Sequence, residues 1–318
     1  MFIDNDGVAL HVADDGQHDA PVVLVLHGIT SCTTTWDWLV PHLVDTQRIL
    51  RLDFRGHGQS GRAPGTYHFP SYLSDAIAVC EQLAGGPAFV LGHSLGGGTA
   101  AALAQQRPDL VRGLLLEDPA LASRDQLQGE HDGNTLLGAF QLIRQGVPRL
   151  QQSGMSVEQL TGIVAAGPRP AGGTLGDTMY PDAIRAMAVA MLQLDATVLD
   201  PVLDGSMITS FDPAATIPVP ATVLAADAAS PDAVVRAIDI ERLAQYSPHV
   251  AVRMLAGAGH LIHDSLAHRN TLRDAPPALL AVTHGCRVSP DQPSFTSSCV
   301  QVPSFNVLGS KPGSSTAR

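Results

Sequence analysis

No apolar run in the 318 residues approaches the 18 or so that a membrane-spanning helix needs. The N-terminal stretch Met1-Phe2-Ile3-Asp4-Asn5-Asp6 has neither the basic segment nor the apolar one of a secretory leader. A soluble, cytoplasmic protein with no membrane partner is therefore the expectation. Positive charge is scarce as well: 19 Lys and Arg stand against 30 Asp and Glu, a formal net charge of −11. That balance argues against a nucleic-acid backbone or an anionic lipid surface as partner. Four cysteines, at 32, 80, 286 and 299, show no metal-type or paired spacing, so no disulfide framework is expected. Cys32 and Cys80 read as small apolar packing residues.

What the chain does have is 45% hydrophobic residues, ample for a sizeable core, over a length that suits one α/β domain carrying an insertion. Residues 1–14 alternate weakly around Asp6-Gly7 and predict a hairpin. The run from Pro21 to Leu26 is apolar without interruption, as expected of a strand buried on both faces of a parallel sheet. Further strands are predicted at 48–53, 88–91, 111–116, 218–226 and 250–255, and helical spacing falls between them, at 71–83, after Ser94, near 232–246 and from about 265 to 280. From about residue 120 to 215 the alternation stops, and the chain is Gly-rich with helical spacing and no strand-grade run. The pattern predicts a mostly parallel α/β sheet flanked by helices, with core in 1–119 and 216–282 and a helical lid inserted at 120–215. Residues 283–318 are rich in Ser, Pro, Val and Gly without amphipathic period, and predict a disordered or loosely packed tail.

The stretch FVLGHSLGGGTAA, residues 89 to 101, holds the sharpest chemical signal. Gly92-His93-Ser94-Leu95-Gly96 is a G-x-S-x-G between a predicted strand and a predicted helix. A serine on so tight a turn needs glycine two positions away on either side, because a Cβ there would meet neighbouring backbone. The following helix begins beneath Ser94, so its dipole and the Leu95 N–H face any negative charge that develops at the serine. Glycines at 97 and 98 let that helix approach the sheet closely.

Four motifs close four predicted strands in order: HGIT at 27–30, DFRGHGQS at 53–60, GHSLGG at 92–97 and GAGH at 257–260. In these the sequence resembles the α/β-hydrolase fold family, in its lid-bearing serine esterase and lactonase branch, over roughly residues 8–280. The resemblance implies Ser94 as nucleophile, His260 as general base and Asp227 as the acid that orients it, in the chain order of that fold. It also implies the Ile29 and Leu95 N–H groups as oxyanion donors, and neither metal nor organic cofactor. Glu117 and Asp118 rival Asp227, because some relatives carry their acid after the corresponding strand. Asp232 follows Pro231 at a helix start and reads as a cap. His27, His57 and His93 read as bracing for the loops around the turn, and His263 with Asp264 as a solvated or capping pair.

Serine at position 94, where epoxide hydrolases and haloalkane dehalogenases of this fold place aspartate, points to acyl chemistry. The lid is rich in Leu, Met and Ala, which suggests a roomy apolar pocket. Trp36, His93, Met179 and Met187 are candidate substrate contacts. The expected substrate is a medium-sized hydrophobic ester or lactone, turned over by a monomer or homodimer. Carbon–carbon bond hydrolysis or perhydrolysis by the same triad is the alternative, and a small-molecule receptor with vestigial turnover is a third reading.

Overall fold

The computed structural model describes residues 1–121, 135–168 and 173–274. The predicted tail at 283–318, residues 122–134 and 169–172 of the predicted insertion, and the end of the last predicted helix lie outside these.

Eight strands form one sheet: β1 (Phe2–Asn5), β2 (Val8–Asp15), β3 (Val22–Leu26), β4 (Arg48–Leu52), β5 (Ala88–His93), β6 (Val111–Glu117), β7 (Ala221–Ala225) and β8 (Ala251–Met254). Their order is β1-β2-β4-β3-β5-β6-β7-β8. β2 runs antiparallel to both neighbours, and β4, β3, β5, β6, β7 and β8 are parallel. The first hairpin turns on Asp6 and Gly7, at φ 53° and 79°, the conformation an Asp-Gly pair favours in a two-residue β-turn. Alternation along each buried strand feeds two cores. Leu24, Leu26, Val90, Leu114, Leu116 and Val223 join the layer on one face, and Val23, Val25, Phe89, Leu91, Leu115 and Leu224 the layer on the other. This is why the central strands read as unbroken apolar runs rather than as alternating ones.

After β3 the chain crosses to β4 on one side, and β5 then pairs with β3 on the other. The loops that follow β3 and β5 therefore diverge above the point where the strand order reverses, where doubly wound sheets hold their ligands. α1 (Val40–Leu43) follows the β3 loop. α2 (Phe69–Val79) starts two residues before the predicted 71–83 helix and loosens into a wider turn over Cys80–Ala84, which Gly85 ends at φ 67°. α3 (Leu95–Gln106) follows β5 directly. Cys32 and Cys80 are buried as expected, and burial pushes both thiols up to about 12.

Between β6 and β7 lie α4 (Thr135–Gln152), α5 (Val157–Ala165) and α6 (Pro181–Gln193), with the short α7 (Asp200–Leu203) leading back to the sheet. Ser156 caps α5 reciprocally with Gln159. These helices build a third apolar cluster from Leu160, Val164, Met179, Ile184 and Ala188, and Leu261, next to His260, packs against it. α8 (Ala237–Tyr246) begins five residues later than the predicted start near 232. The last predicted helix also begins late, at 269, because Ser265 is held in a bridge to Met179. Among the described residues no single helix is long and apolar enough to cross a membrane.

Candidate active site

Ser94 sits at φ 53° and ψ −113°, a strained conformation for a residue with a side chain. The glycines around it are sterically required. A Cβ on Gly92 would lie 2.4 Å from the Gly96 carbonyl oxygen, and one on Gly96 would lie 2.4 Å from that of Leu26. Gly97 and Gly98 are crowded in turn by Pro119 and by the Ala120 carbonyl, so close helix–loop packing is their purpose. The turn is held on both sides: Ser94 N–H donates to Glu117 O at 3.0 Å, and the Ser94 carbonyl accepts from Gly98 and Ala120, both at 2.9 Å.

The loop after β3 lies against the serine. A Cβ on Gly28 would come within 3.5 Å of Ser94 Cβ. Among the described residues neither the Ile29 N–H nor the Leu95 N–H has a hydrogen-bond acceptor. Histidines brace this loop, as expected. Phe54 N–H donates to His27 Nε2 at 3.1 Å, which leaves the proton on Nδ1 to be donated to Gly28 O at 2.7 Å. Burial, aided by His57, holds His27 down at about 3, so its ring is neutral. His57 faces the Ile29 and Arg55 carbonyls, at 2.5 and 3.0 Å. It does not touch Asp53, whose carboxylate is instead shared by His11, Thr33 N–H and Gln59 N–H.

The carboxylate that His260 meets is not the expected one. His260 Nδ1 meets Asp118 Oδ2 at 2.7 Å, with both side chains buried. Asp118, at φ 36°, also accepts from the Ala226, Val234 and Val235 N–H groups at 3.2, 3.0 and 3.1 Å. Four donors thus fix its carboxylate, and its partner is left with Nε2 as the free basic nitrogen. Asp227, the expected acid, braces a turn instead. It accepts from Ala229 N–H at 2.9 Å and Gly257 N–H at 2.6 Å, and these bonds hold its carboxyl below the ordinary range. The chain leaves β7 with Asp227 directed at the 257–258 turn and not at the ring three residues on. Asp232 accepts from Ser230 Oγ at 2.5 Å and lies ahead of α8 rather than capping it.

Three of the four candidate substrate contacts, Trp36, His93 and Met179, are buried. Trp36 is fully buried and stacks on His263 with ring centroids 4.4 Å apart. His93 is enclosed between Gly28, His260 and His263, with Nε2 donating to His260 O at 3.2 Å. Burial, with His260 and His263 nearby, holds it well below the usual imidazole range. Met179 is buried in the cluster of inserted helices, and Met187, half-buried, packs against it. Trp36, His93 and Met179 fill core volume, which a helical Met or Trp pattern cannot distinguish from pocket lining. His263 and Asp264 are not solvated either: they are 1% and 2% exposed, and His263 pairs with Glu117.

His93, Glu117 and His263 bring potential metal-ligand atoms within 4.8 Å of one another. The contact between His263 Nδ1 and Glu117, at 2.8 and 2.9 Å to its two oxygens, is that of a shared proton. A cation there would have to displace that proton, so the donor set suits an ion pair better than a metal.

Residues 21–151 match the family model for the α/β hydrolase fold. The chain is 30% identical over 154 residues to an sn-1-specific diacylglycerol lipase, ABHD11, of Mus musculus, covering 47% of this chain and 49% of that one. It is 41% identical over 123 residues to the esterase Rv0045c of Mycobacterium tuberculosis, covering 37% and 40%. The matched stretches thus span less than half of these curated relatives. Among solved structures, the enol-lactonase of Burkholderia xenovorans LB400 superposes with a TM-score of 0.66 at 20% identity, covering 88% of this chain and 100% of that one. The architecture is that of the α/β hydrolase fold.

Proposed function

We propose that this chain, an α/β-hydrolase-fold protein, is a serine hydrolase that cleaves a carboxylic ester or lactone of a medium-sized hydrophobic substrate. The observation that carries the reading is the buried Asp118–His260 hydrogen bond of 2.7 Å, which supports the role of the strained, glycine-flanked Ser94. His260 Nε2 takes the Ser94 proton as Oγ attacks the acyl carbon. The oxyanion that forms is met by the Ile29 and Leu95 N–H groups, whose lack of an acceptor supports this role. Collapse expels the alcohol, protonated by His260, and leaves an acyl-enzyme on Ser94. Water, deprotonated by His260, then releases the acid. Asp118 keeps the Nδ1 proton in place and stabilises the imidazolium. The neutral His27 supports the oxyanion loop, since its Nδ1–H polarises the Gly28 carbonyl of the peptide that carries the Ile29 N–H. The lipase and esterase relatives support an ester substrate, and the apolar inserted helices support a hydrophobic one.

The test is turnover of a panel of p-nitrophenyl esters and aliphatic lactones, with a fluorophosphonate label located by peptide mass. Turnover with one label per chain, on Ser94, is the expected result, and the acyl-length profile sizes the pocket. A protein that neither turns over the panel nor takes the label would overturn the reading.

A further inference from the structure

β6 ends in Glu117, and Asp118, at φ 36°, follows it directly, so two carboxylates stand side by side at the end of the strand. Each takes a histidine from the same loop. Asp118 holds His260, and Glu117 holds His263, three residues on. The second pair is fully enclosed: Glu117 is 0% and His263 1% exposed. Glu117 Oε1 accepts from the His263 backbone N–H at 2.8 Å and again from ring Nδ1 at 2.8 Å. The other ring nitrogen faces Thr35 Oγ1 at 3.0 Å and Asp264 Oδ1 at 3.3 Å. Trp36 lies flat on the ring, in the arrangement that favours a cation. The His263 carbonyl accepts from Arg269 Nε at 2.6 Å. Arg269 in turn pairs with Asp182 of α6 at 2.8 Å and stacks on Tyr180 at 3.8 Å. The residue next to it, Asp264, accepts from Tyr180 N–H at 3.0 Å. His263 is therefore held by its ring, its N–H and its carbonyl, to β6 on one side and to the inserted helices on the other.

We propose that the Glu117–His263 ion pair is a positioning device for the loop that carries His260, setting the place of that ring relative to Ser94 independently of the Asp118 hydrogen bond. The proposal rests on the serine-hydrolase reading above. With Asp118 alone, His260 is held at one ring nitrogen. The second pair fixes the backbone three residues downstream and so limits how far the imidazole can swing. The pair works only while both partners are charged. Burial opposes charge on His263, and the Asp264 and Glu117 carboxylates overcome it, raising the imidazole above its ordinary range. His93, Arg269 and, beyond it, Asp182 are the other ionisable groups packed around it.

The experiment uses the full chain, with Glu117→Gln, His263→Gln and the double variant. Fluorophosphonate burst titration counts active serines, kcat and KM are measured per titrated serine, and the imidazole nitrogens are followed by 15N spectroscopy from pH 5 to 10. The single variants are expected to lose about 10- to 100-fold in kcat with KM within about threefold, the size of effect a misplaced general base gives. The double variant, whose two amides can bond each other, is expected to recover part of the loss. Wild-type His263 is expected to keep both ring protons at pH 7 and to lose one in Glu117→Gln. Variants with wild-type kcat per titrated serine would overturn the proposal, as would a His263 neutral at pH 7. A wild-type chain that takes no label fails the serine-hydrolase reading instead, and the positioning proposal falls with it. The His263 spectrum shows separately whether the ion pair itself exists.

Discussion

Asp118→Asn is expected to lower kcat by about 10³- to 10⁴-fold, whereas Asp227→Asn leaves it within about twofold. The loss follows from which oxygen faces which donor. Oδ2 of Asp118 accepts from His260 Nδ1 and Val234 N–H, and Oδ1 from Ala226 N–H and Val235 N–H. An asparagine has only one oxygen to offer. Placed with its amide nitrogen toward His260, it sets donor against donor, and the imidazole must move its proton to Nε2. That tautomer cannot accept the Ser94 proton. Placed the other way, the amide nitrogen opposes two backbone N–H groups, which strains the turn after β7. Among the described residues the Asp227 carboxylate accepts only from the Gly257 and Ala229 amides, and its replacement loosens a turn without touching the ring. Steady-state kcat of the two variants, with Ser94→Ala as the background, checks this. Collapse of activity in Asp227→Asn with survival in Asp118→Asn would reverse the assignment.

Acidification below pH 6.5 is expected to destabilise the fold by several kcal/mol, with buried imidazoles as a principal cause. His27 is completely enclosed, and burial together with His57 holds it at about 3. In the unfolded chain it titrates near 6.5. Between these values the unfolded state binds a proton that the folded state refuses, so stability present above pH 6.5 is lost as pH falls toward 3. At about 1.4 kcal/mol per pH unit, His27 alone accounts for about 2 kcal/mol by pH 5. His57 and His93 are depressed by burial as well and act in the same direction. His263 acts oppositely: being raised, it stabilises fully below the unfolded value and gives that up as pH rises through its folded one. Urea unfolding of wild type and His27→Asn from pH 7.5 to 4.5 measures the effect. Asparagine keeps an N–H for Gly28 O and carries no titrating group, so its curve is expected to be flatter by about 2 kcal/mol at pH 5. Parallel curves would remove His27 from the account.

The features that sequence made legible share a local cause. Gly92, Gly96 and Ser94 are dictated by contacts within one turn, and the apolar run at 22–26 by burial of a single strand. His260 lies on a short loop after the last strand and has few places to go. The acid is different in kind. Both β6 and β7 end in aspartate-bearing loops, and choosing between them depends on how the 226–235 loop folds, because it supplies three amides to the Asp118 carboxylate and only that of Ala229 to Asp227. Only a change in that path would bring Asp227 to the ring. Trp36 and His263 were hidden for a similar reason. A tryptophan after the β3 loop and a histidine three residues past His260 both look like surface or pocket residues until Glu117, at the end of β6, draws the His263 ring inward and Trp36 stacks on it.

The contact of Asp118 with His260 also bears on how such a protein can be rebuilt. The residue that steers His260 stands at the head of the chain's departure into the inserted helices, and Pro119 and Ala120 after it are wedged against Gly97 and Gly98. A graft that exchanges those helices for a foreign set must begin beyond Ala120 or it will carry off the steering group with the cargo. The corner after β7 is under no such obligation at Asp227 itself. Insertions beside that residue, clear of 226 and 234–235, are the natural place to add a new specificity loop without disturbing the chemistry.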